Sequence, residues 1–129
     1  MAAIHLIKSY CLPTLMYGCE VCSISDHSLH TISVAWNNCF RRVFKCCWKE
    51  SVKPFQYYCN ALPISYFIVQ RRLTFWCKMQ HFNNIVLRTL SSLKHYSFVA
   101  IAAKYGTNSH VSFKNAVWQT FSSAVLAKC

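Results

Sequence analysis

The chain has 129 residues, of which 54% are hydrophobic and 16% aromatic, with only two glycines and three prolines. This composition fits one folded domain with its own core, and it argues against intrinsic disorder and against a turn-rich β-sandwich or barrel. Fourteen Lys and Arg against three acids give a formal charge of +11, and the scattered positions of Glu20, Asp26 and Glu50 disfavour catalysis by clustered carboxylates.

The first half of the chain is predicted to form three helices. An apolar helix over 4–17 should be kinked or interrupted near Leu12, because Pro13 disfavours helical geometry in the residue before it. Ser25 or Asp26 is expected to cap the second helix by accepting hydrogen bonds from its free amides. Apolar side chains recur along that helix at steps of three and four, namely Leu29, Ile32, Trp36, Cys39, Phe40 and Val43. A short third helix is predicted over 52–59.

The second half is also predicted to be helical. Leu62-Pro63 opens a fourth helix, because proline is tolerated in a first helical turn. Its side chains expected to face a core are Tyr66, Phe67, Val69, Leu73 and Trp76. A shorter helix follows over 84–91, the alanines of 96–105 favour helix over strand, and a last helix covers 112–128. The expected fold class is therefore all-α, a small irregular bundle of five or six helices.

Cysteine usage and hydropathy bear on the compartment. Nine cysteines form an odd set spread through apolar runs, whereas small secreted proteins carry even sets in turn-rich chains. We therefore expect free thiols and an intracellular, reducing compartment, either nucleus or cytoplasm. Lys8 interrupts the N-terminal apolar stretch, which makes a poor signal peptide. The longest charge-free run, 54–70, contains two prolines and is shorter than the about 20 apolar residues of a spanning helix, so no membrane association is expected.

One group of residues has the chemistry of a zinc site. Cys19-x-x-Cys22 is followed by His27 and His30, and zinc is commonly held by four such ligands. Only four residues separate the two pairs, whereas finger-type sites leave about a dozen or more for a hairpin and a helix. Cysteines in the core or on the surface are the simpler interpretation, and no cofactor is predicted. The motifs of nucleophilic catalysis and the Gly-rich phosphate loops are missing from the sequence.

Basic residues form two clusters along the chain. The first contains Arg41, Arg42, Lys45, Lys49 and Lys53, with Phe44 and Trp48 between them. If the second helix continued this far, four of these cations would form one positive ridge that could hold phosphates while the aromatic rings stack on bases. The second cluster is Arg71, Arg72 and Lys78. A solvated helix face is the alternative, but the scarcity of acids favours attraction of polyanions regardless of their sequence.

Three stretches occur in a characteristic order. They are residues 9–22 (SYCLPTLMYGCEVC), 35–44 (AWNNCFRRVF) and 62–75 (LPISYFIVQRRLTF). In this order they resemble the region after the catalytic palm of LINE-type, non-LTR retrotransposon reverse transcriptases. In that family a helix of the pattern SYxLPxLLYGxE closes the polymerase domain, and two helices carrying a tryptophan with an arginine pair and an LP…RRL motif follow.

The resemblance implies a thumb-like helical segment over 1–92 and a loosely matching helical tail over 93–129. In the family this part packs on the palm and holds the template–primer backbone, so the bundle would be incomplete without the palm. Nucleic-acid contacts are then expected at Arg41, Arg42, Lys45, Arg71 and Arg72. Lys49 is added to them because it lies four residues after Lys45 on the same expected ridge. The aspartates of the family's palm motif are missing from this sequence, in which Asp26 is the only aspartate. Polymerase metal ions need those aspartates, so the resemblance implies no enzymatic activity.

The resemblance thus predicts a non-catalytic fragment with at most weak, non-specific binding to an RNA or DNA backbone and no small-molecule substrate. The alternative is a structural or protein-interaction helical module with no role in nucleic-acid binding. The two differ in salt-sensitive affinity for polyanions, which only the first predicts. An incomplete bundle should also expose apolar surface.

Overall fold

The computed structural model describes residues 2–93, 95–105 and 110–128, and all regular secondary structure in them is helical. Helix α1 is continuous and comprises α-helix Ala2–Leu6, a π-helical turn Ile7–Cys11 and a last α-helical turn Leu12–Leu15. The others are α2 (Asp26–Phe44), α3 (Lys53–Tyr58), α4 (Ile64–His81), α5 (Ile85–Leu93), α6 (His95–Tyr105) and α7 (His110–Leu126). The predicted all-α fold is confirmed, but these residues form seven helices, whereas five or six were predicted. No helix among them has the length and hydropathy needed to cross a bilayer.

Pro13 lies within α1 without interrupting it. Proline has no N–H to donate, and its ring clashes with the carbonyl of the preceding turn. A π-helical turn, Ile7–Cys11, comes just before it, and the backbone stays in the right-handed helical region at Cys11 and Leu12. The expected interruption near Leu12 is therefore wrong, and a π-helical turn replaces a regular one just before the proline.

Both ends of α2 are set by local chemistry. The Ser25 hydroxyl oxygen accepts a hydrogen bond from the backbone N–H of Ser28 at 3.2 Å, so the N-terminal cap is the predicted serine. At the other end Lys45 adopts the left-handed conformation with φ 54°, which ends the helix at Phe44. The next helix begins only at Lys53. The positive ridge that required a longer α2 therefore does not form as a single helical face.

The main core lies between α1, α2 and α4. Trp36 and Phe40 of α2 are buried in it together with Ile4, Leu12, Met16, Ile64 and Ile68. The two aromatic rings meet edge to face with centroids 5.1 Å apart. The indole Nε1–H of Trp36 donates to the carbonyl of Leu62 at 3.1 Å, which fixes α2 against the start of α4.

Helix α4 is the central element, since it contacts α2, α5, α6 and α7. A second small core forms where Leu73 and Cys77 of α4 meet Ala102 of α6. Among its predicted core residues Leu73 is buried, whereas Tyr66, Phe67, Val69 and Trp76 are half-buried. The other fully buried positions of the helix are Ile64, Ile68, Cys77 and Met79.

The predicted tail packs on the predicted thumb-like segment. Helix α7 buries Val117, Phe121 and Val125. Its Trp118 ring stacks on Tyr57 of α3 with centroids 5.9 Å apart. The described part of 93–129 therefore shares its packing with 1–92 and has no separate core.

Helix α5 leaves much of its apolar surface exposed. None of its residues is fully buried, and Ile85, Val86 and Leu93 are exposed. Between α4 and α5 lies a groove of about 320 Å³ whose walls include Trp76 and Leu90. Exposed apolar surface of this kind is typical of protein-interaction sites and ligand-binding grooves.

Candidate nucleic-acid interface

The structure divides the six predicted contact residues between two places. Arg41 and Arg42 lie in the last turn of α2, and Lys45 and Lys49 lie in the segment that follows it. Arg71 and Arg72 lie in the middle of α4. The two groups have different surroundings.

The Arg72 guanidinium is engaged within the fold. Its Nε–H donates to the carbonyl of Cys19 at 3.1 Å and its Nη2 donates to the carbonyl of Cys22 at 3.2 Å. These carbonyls belong to the irregular segment between α1 and α2, so Arg72 holds that segment against α4. Hydrogen bonds from a charged donor are stronger than neutral ones, and the first of these is partly buried. The geometry therefore makes Arg72 a structural residue.

Arg72→Met should lower the free energy of unfolding by about 2 kcal/mol, because it retains the apolar stem and removes two charge-assisted hydrogen bonds. Arg42→Met is the control, since Arg42 is exposed and makes no hydrogen bond or ion pair to the described residues. It should change stability by less than about 0.5 kcal/mol. Urea denaturation followed by circular dichroism measures both values. Equal effects of the two substitutions would contradict the structural role of Arg72.

Arg71 is partly neutralised. Its Nε lies 2.9 Å from Oε1 of Glu20, which is the one ion pair among the described residues. Its guanidinium carbon also lies 5.8 Å from the centroid of the Phe67 ring. Both groups are partly accessible to solvent, so the pair stabilises the fold by no more than about 1 kcal/mol.

Arg41 is half-buried at the end of α2. Its Nη1 donates to Oδ1 of Asn38 at 3.1 Å, and its Nε is buried without a hydrogen-bond partner among the described residues. The neighbouring aromatic residue Phe44 stacks on Phe55 with centroids 4.9 Å apart. Of the two aromatic residues in the first basic cluster, Phe44 thus belongs to the core, which leaves Trp48 for an external contact.

The α2–α3 loop, defined as residues 45–52, presents that tryptophan to solvent. Trp48 is 77% exposed, and the Lys49 ammonium lies 5.4 Å from the centroid of its ring. The side chains of Lys45, Lys49 and Lys53 are exposed and make no hydrogen bond or ion pair to the described residues. An exposed indole beside unpaired cations can stack on a base while the cations contact phosphates.

The single acid of the α2–α3 loop interacts with a thiol. Partial desolvation raises the pKa of the Cys46 thiol, and the neighbouring Glu50 carboxylate raises it further by charge and by a hydrogen bond. The loop cations are therefore left without an ion-pair partner in the described chain.

The Cys and His residues considered as zinc ligands differ in their exposure to solvent. Cys19 is buried, whereas Cys22, His27 and His30 are exposed, and no three His, Cys, Asp or Glu side chains of the described residues are placed to hold a metal ion. All eight cysteines in that part of the chain are free thiols. Burial raises the pKa of the thiols of Cys19 and Cys77, which keeps them protonated. The Cys-x-x-Cys segment instead contributes backbone carbonyls to its contact with α4.

One cation, Lys114, was missed in the sequence analysis. This residue of α7 lines a cavity of about 310 Å³ together with Arg71 and Lys78 of α4, which belong to the second predicted cluster. The last two are separated by two helical turns, and their shared face was readable from the sequence. The position of Lys114 beside them depends on how α7 packs, for which a local pattern gives no signal.

A scan against protein-family models gives no match, and searches of curated proteins and of solved structures find no significant similarity.

Proposed function

We propose that this chain is a non-catalytic, nucleic-acid-binding helical module that contacts the phosphate backbone without sequence preference. The observation that supports this most strongly is the α2–α3 loop, where the exposed Trp48 lies among cations that have no partner in the described chain. The resemblance to the post-palm region of LINE-type reverse transcriptases points in the same direction. On this proposal the palm domain of the parent retrotransposon polymerase is the protein partner, and the compartment is intracellular.

The charge of the loop region sets the expected behaviour. Residues 42–53 contain four basic side chains and one carboxylate, a net charge of +3. Each phosphate neutralised on a single strand contributes about −0.7 to the slope of log K against log salt concentration. Three contacts therefore give a slope of about −2, and affinity should fall about twentyfold when salt rises from about 50 to 200 mM. Base stacking on Trp48 adds affinity that salt does not weaken.

Lys45→Gln combined with Lys49→Gln should weaken binding to a single-stranded oligonucleotide about tenfold at low salt and make the salt slope shallower by about 1.4. Lys104→Gln combined with Lys128→Gln removes the same charge from exposed positions elsewhere and is the matched control. It should change the affinity by less than about twofold, because screening limits the reach of distant charges. Fluorescence anisotropy across a salt series measures both quantities.

Trp48→Ala provides a second, independent test of the same interface. It should weaken binding about fivefold or more with an unchanged salt slope, because a stacking contact is lost and no charge is removed. If the loop variants and the control lose equal affinity, general charge alone explains the binding and the proposed interface is wrong. Binding that ignores salt would contradict the proposal altogether.

The apolar groove between α4 and α5 favours a second candidate function, a module that contacts a protein partner. Its walls are almost entirely hydrophobic, and Leu93 at its edge is exposed. A chain that shows no polyanion affinity even at low salt, and that gains thermal stability with a protein partner, would favour this alternative.

A further inference from the structure

A cavity of about 310 Å³ lies between α4, α7 and the segment that follows α1. Its volume is at the lower end of the range of small-molecule sites, which starts at about 300 Å³. The α2–α3 loop contributes no residue to it. The cavity is thus separate from the proposed interface at the α2–α3 loop.

The walls of this cavity carry an excess of positive charge. Arg71, Lys78 and Lys114 contribute three cations, against the single carboxylate of Glu20. That carboxylate lies 2.9 Å from Nε of Arg71 and neutralises one of the three cations. The side chains of Lys78 and Lys114 are exposed and form no ion pair with an acid among the residues that the structure describes. A concave site with a net charge of +2 attracts an anion.

Thr74 adds a hydroxyl with no partner. Its Oγ1 is buried and makes no hydrogen bond to the described residues, and the residue lines the cavity. The other helical threonines described by the structure each donate to the carbonyl four residues earlier, namely Thr14, Thr31, Thr89 and Thr120. A buried polar group without a partner is costly and calls for an explanation. Because this oxygen is shielded from solvent, a ligand oxygen would satisfy it once the Thr74 side chain turns toward the cavity.

Aromatic rings complete the site. Phe67, Arg71, Thr74 and Lys78 recur along α4 at steps of four, three and four, so they share one face of the helix. Phe75 adds a second ring to the cavity wall. The cavity therefore offers cations and a hydroxyl to an anion and apolar rings to whatever group carries that anion.

We propose that this cavity binds a phosphate monoester attached to an aromatic group, the chemistry of a nucleoside monophosphate. Arg71, Lys78 and Lys114 would contact the phosphate oxygens, and Thr74 would donate its hydroxyl to one of them. Phe67 and Phe75 would pack against the base. The same chemistry occurs at the 5′-phosphorylated end of a nucleic-acid strand.

Isothermal titration of the full chain with adenosine monophosphate (AMP), inorganic phosphate and adenosine tests the proposal. AMP should bind at least about tenfold more tightly than either part alone, because it uses both the cations and the rings. Lys78→Gln combined with Lys114→Gln should weaken AMP binding about tenfold. Lys104→Gln combined with Lys128→Gln should weaken it less than about twofold, since both control lysines lie outside the cavity lining.

Thr74→Val separates a binding role from a structural one. It should weaken AMP binding about fivefold while the melting temperature of the free chain stays the same or rises, because an unsatisfied buried hydroxyl is replaced by a methyl group. Thr74→Ser keeps the hydroxyl and should bind AMP within about twofold of the original chain. If both lysines and the hydroxyl can be removed without loss of affinity, or if AMP and adenosine bind equally, the proposal is overturned.

Oligonucleotides with and without a 5′-phosphate distinguish the two sources of the ligand. Stronger competition by AMP than by the 5′-phosphorylated strand assigns the site to a free nucleotide, and the reverse assigns it to a strand end. Either result supports a phosphate monoester site. Failure of AMP to bind, with equal affinity for both strands, rejects this site but leaves the interface at the α2–α3 loop unaffected.

Discussion

Phe40→Ala should lower the free energy of unfolding by about 3–5 kcal/mol, the usual cost of truncating a fully buried phenylalanine. Phe40 is 1% exposed and meets Trp36 edge to face in the core between α1, α2 and α4. The substitution removes that ring pair and leaves a cavity that helices fixed by the Trp36 to Leu62 hydrogen bond cannot easily fill. Because single domains are stable by only about 5–15 kcal/mol, the variant should be close to unfolding at room temperature.

Val34→Ala on the same helix is the matched control for Phe40. Val34 is 42% exposed, and alanine has the higher helix propensity, so the change should be less than about 0.5 kcal/mol. Urea denaturation of both variants with near- and far-ultraviolet circular dichroism gives the comparison. A loss below about 1 kcal/mol at Phe40 would mean that α2 does not bury this face.

Helix α2 was the most predictable element because its local signals agree with its packing. Its apolar stripe has helical spacing, a serine cap precedes it, and the residues buried deepest are the predicted Trp36 and Phe40. When a helix packs one amphipathic face on one core, the spacing of its apolar residues directly predicts which side chains are buried.

Helix α4 was less predictable because it is surrounded. It contacts four other helices, so no single apolar face describes it, and residues such as Ile68 and Cys77 are buried outside the predicted set. The hydrogen bonds of Arg72 join it to carbonyls 53 and 50 positions earlier in the chain. Every residue has a backbone carbonyl, so no residue type marks the acceptors of these hydrogen bonds. The sequence therefore identified Arg72 as part of a basic cluster but gave no sign of its structural role.

The end of α2 illustrates a different limit. The ridge through Arg41, Lys45 and Lys49 required the helix to continue past Phe44. Left-handed helix ends usually carry glycine or asparagine, and here the position is occupied by Lys45. A non-glycine residue in this conformation is strained and is held by the surrounding structure. The residue type at position 45 therefore does not predict the helix end. The same break places Trp48 in solvent, where a continued helix would have given it a different environment.

Phe121→Ala should be as destabilising as the change at Phe40, about 3–5 kcal/mol, although it lies in the segment with the looser family resemblance. Phe121 is 1% exposed and packs on Tyr66 of α4, and its neighbour Trp118 stacks on Tyr57 of α3. Leu126→Ala, 59% exposed on the same helix, should cost less than about 0.5 kcal/mol. Since α7 packs directly on α4, the two helices should unfold together. The near- and far-ultraviolet circular dichroism signals should then change in one coincident transition. A variant that loses only part of its helical signal while the remainder keeps its original midpoint would show that α7 folds apart from the rest.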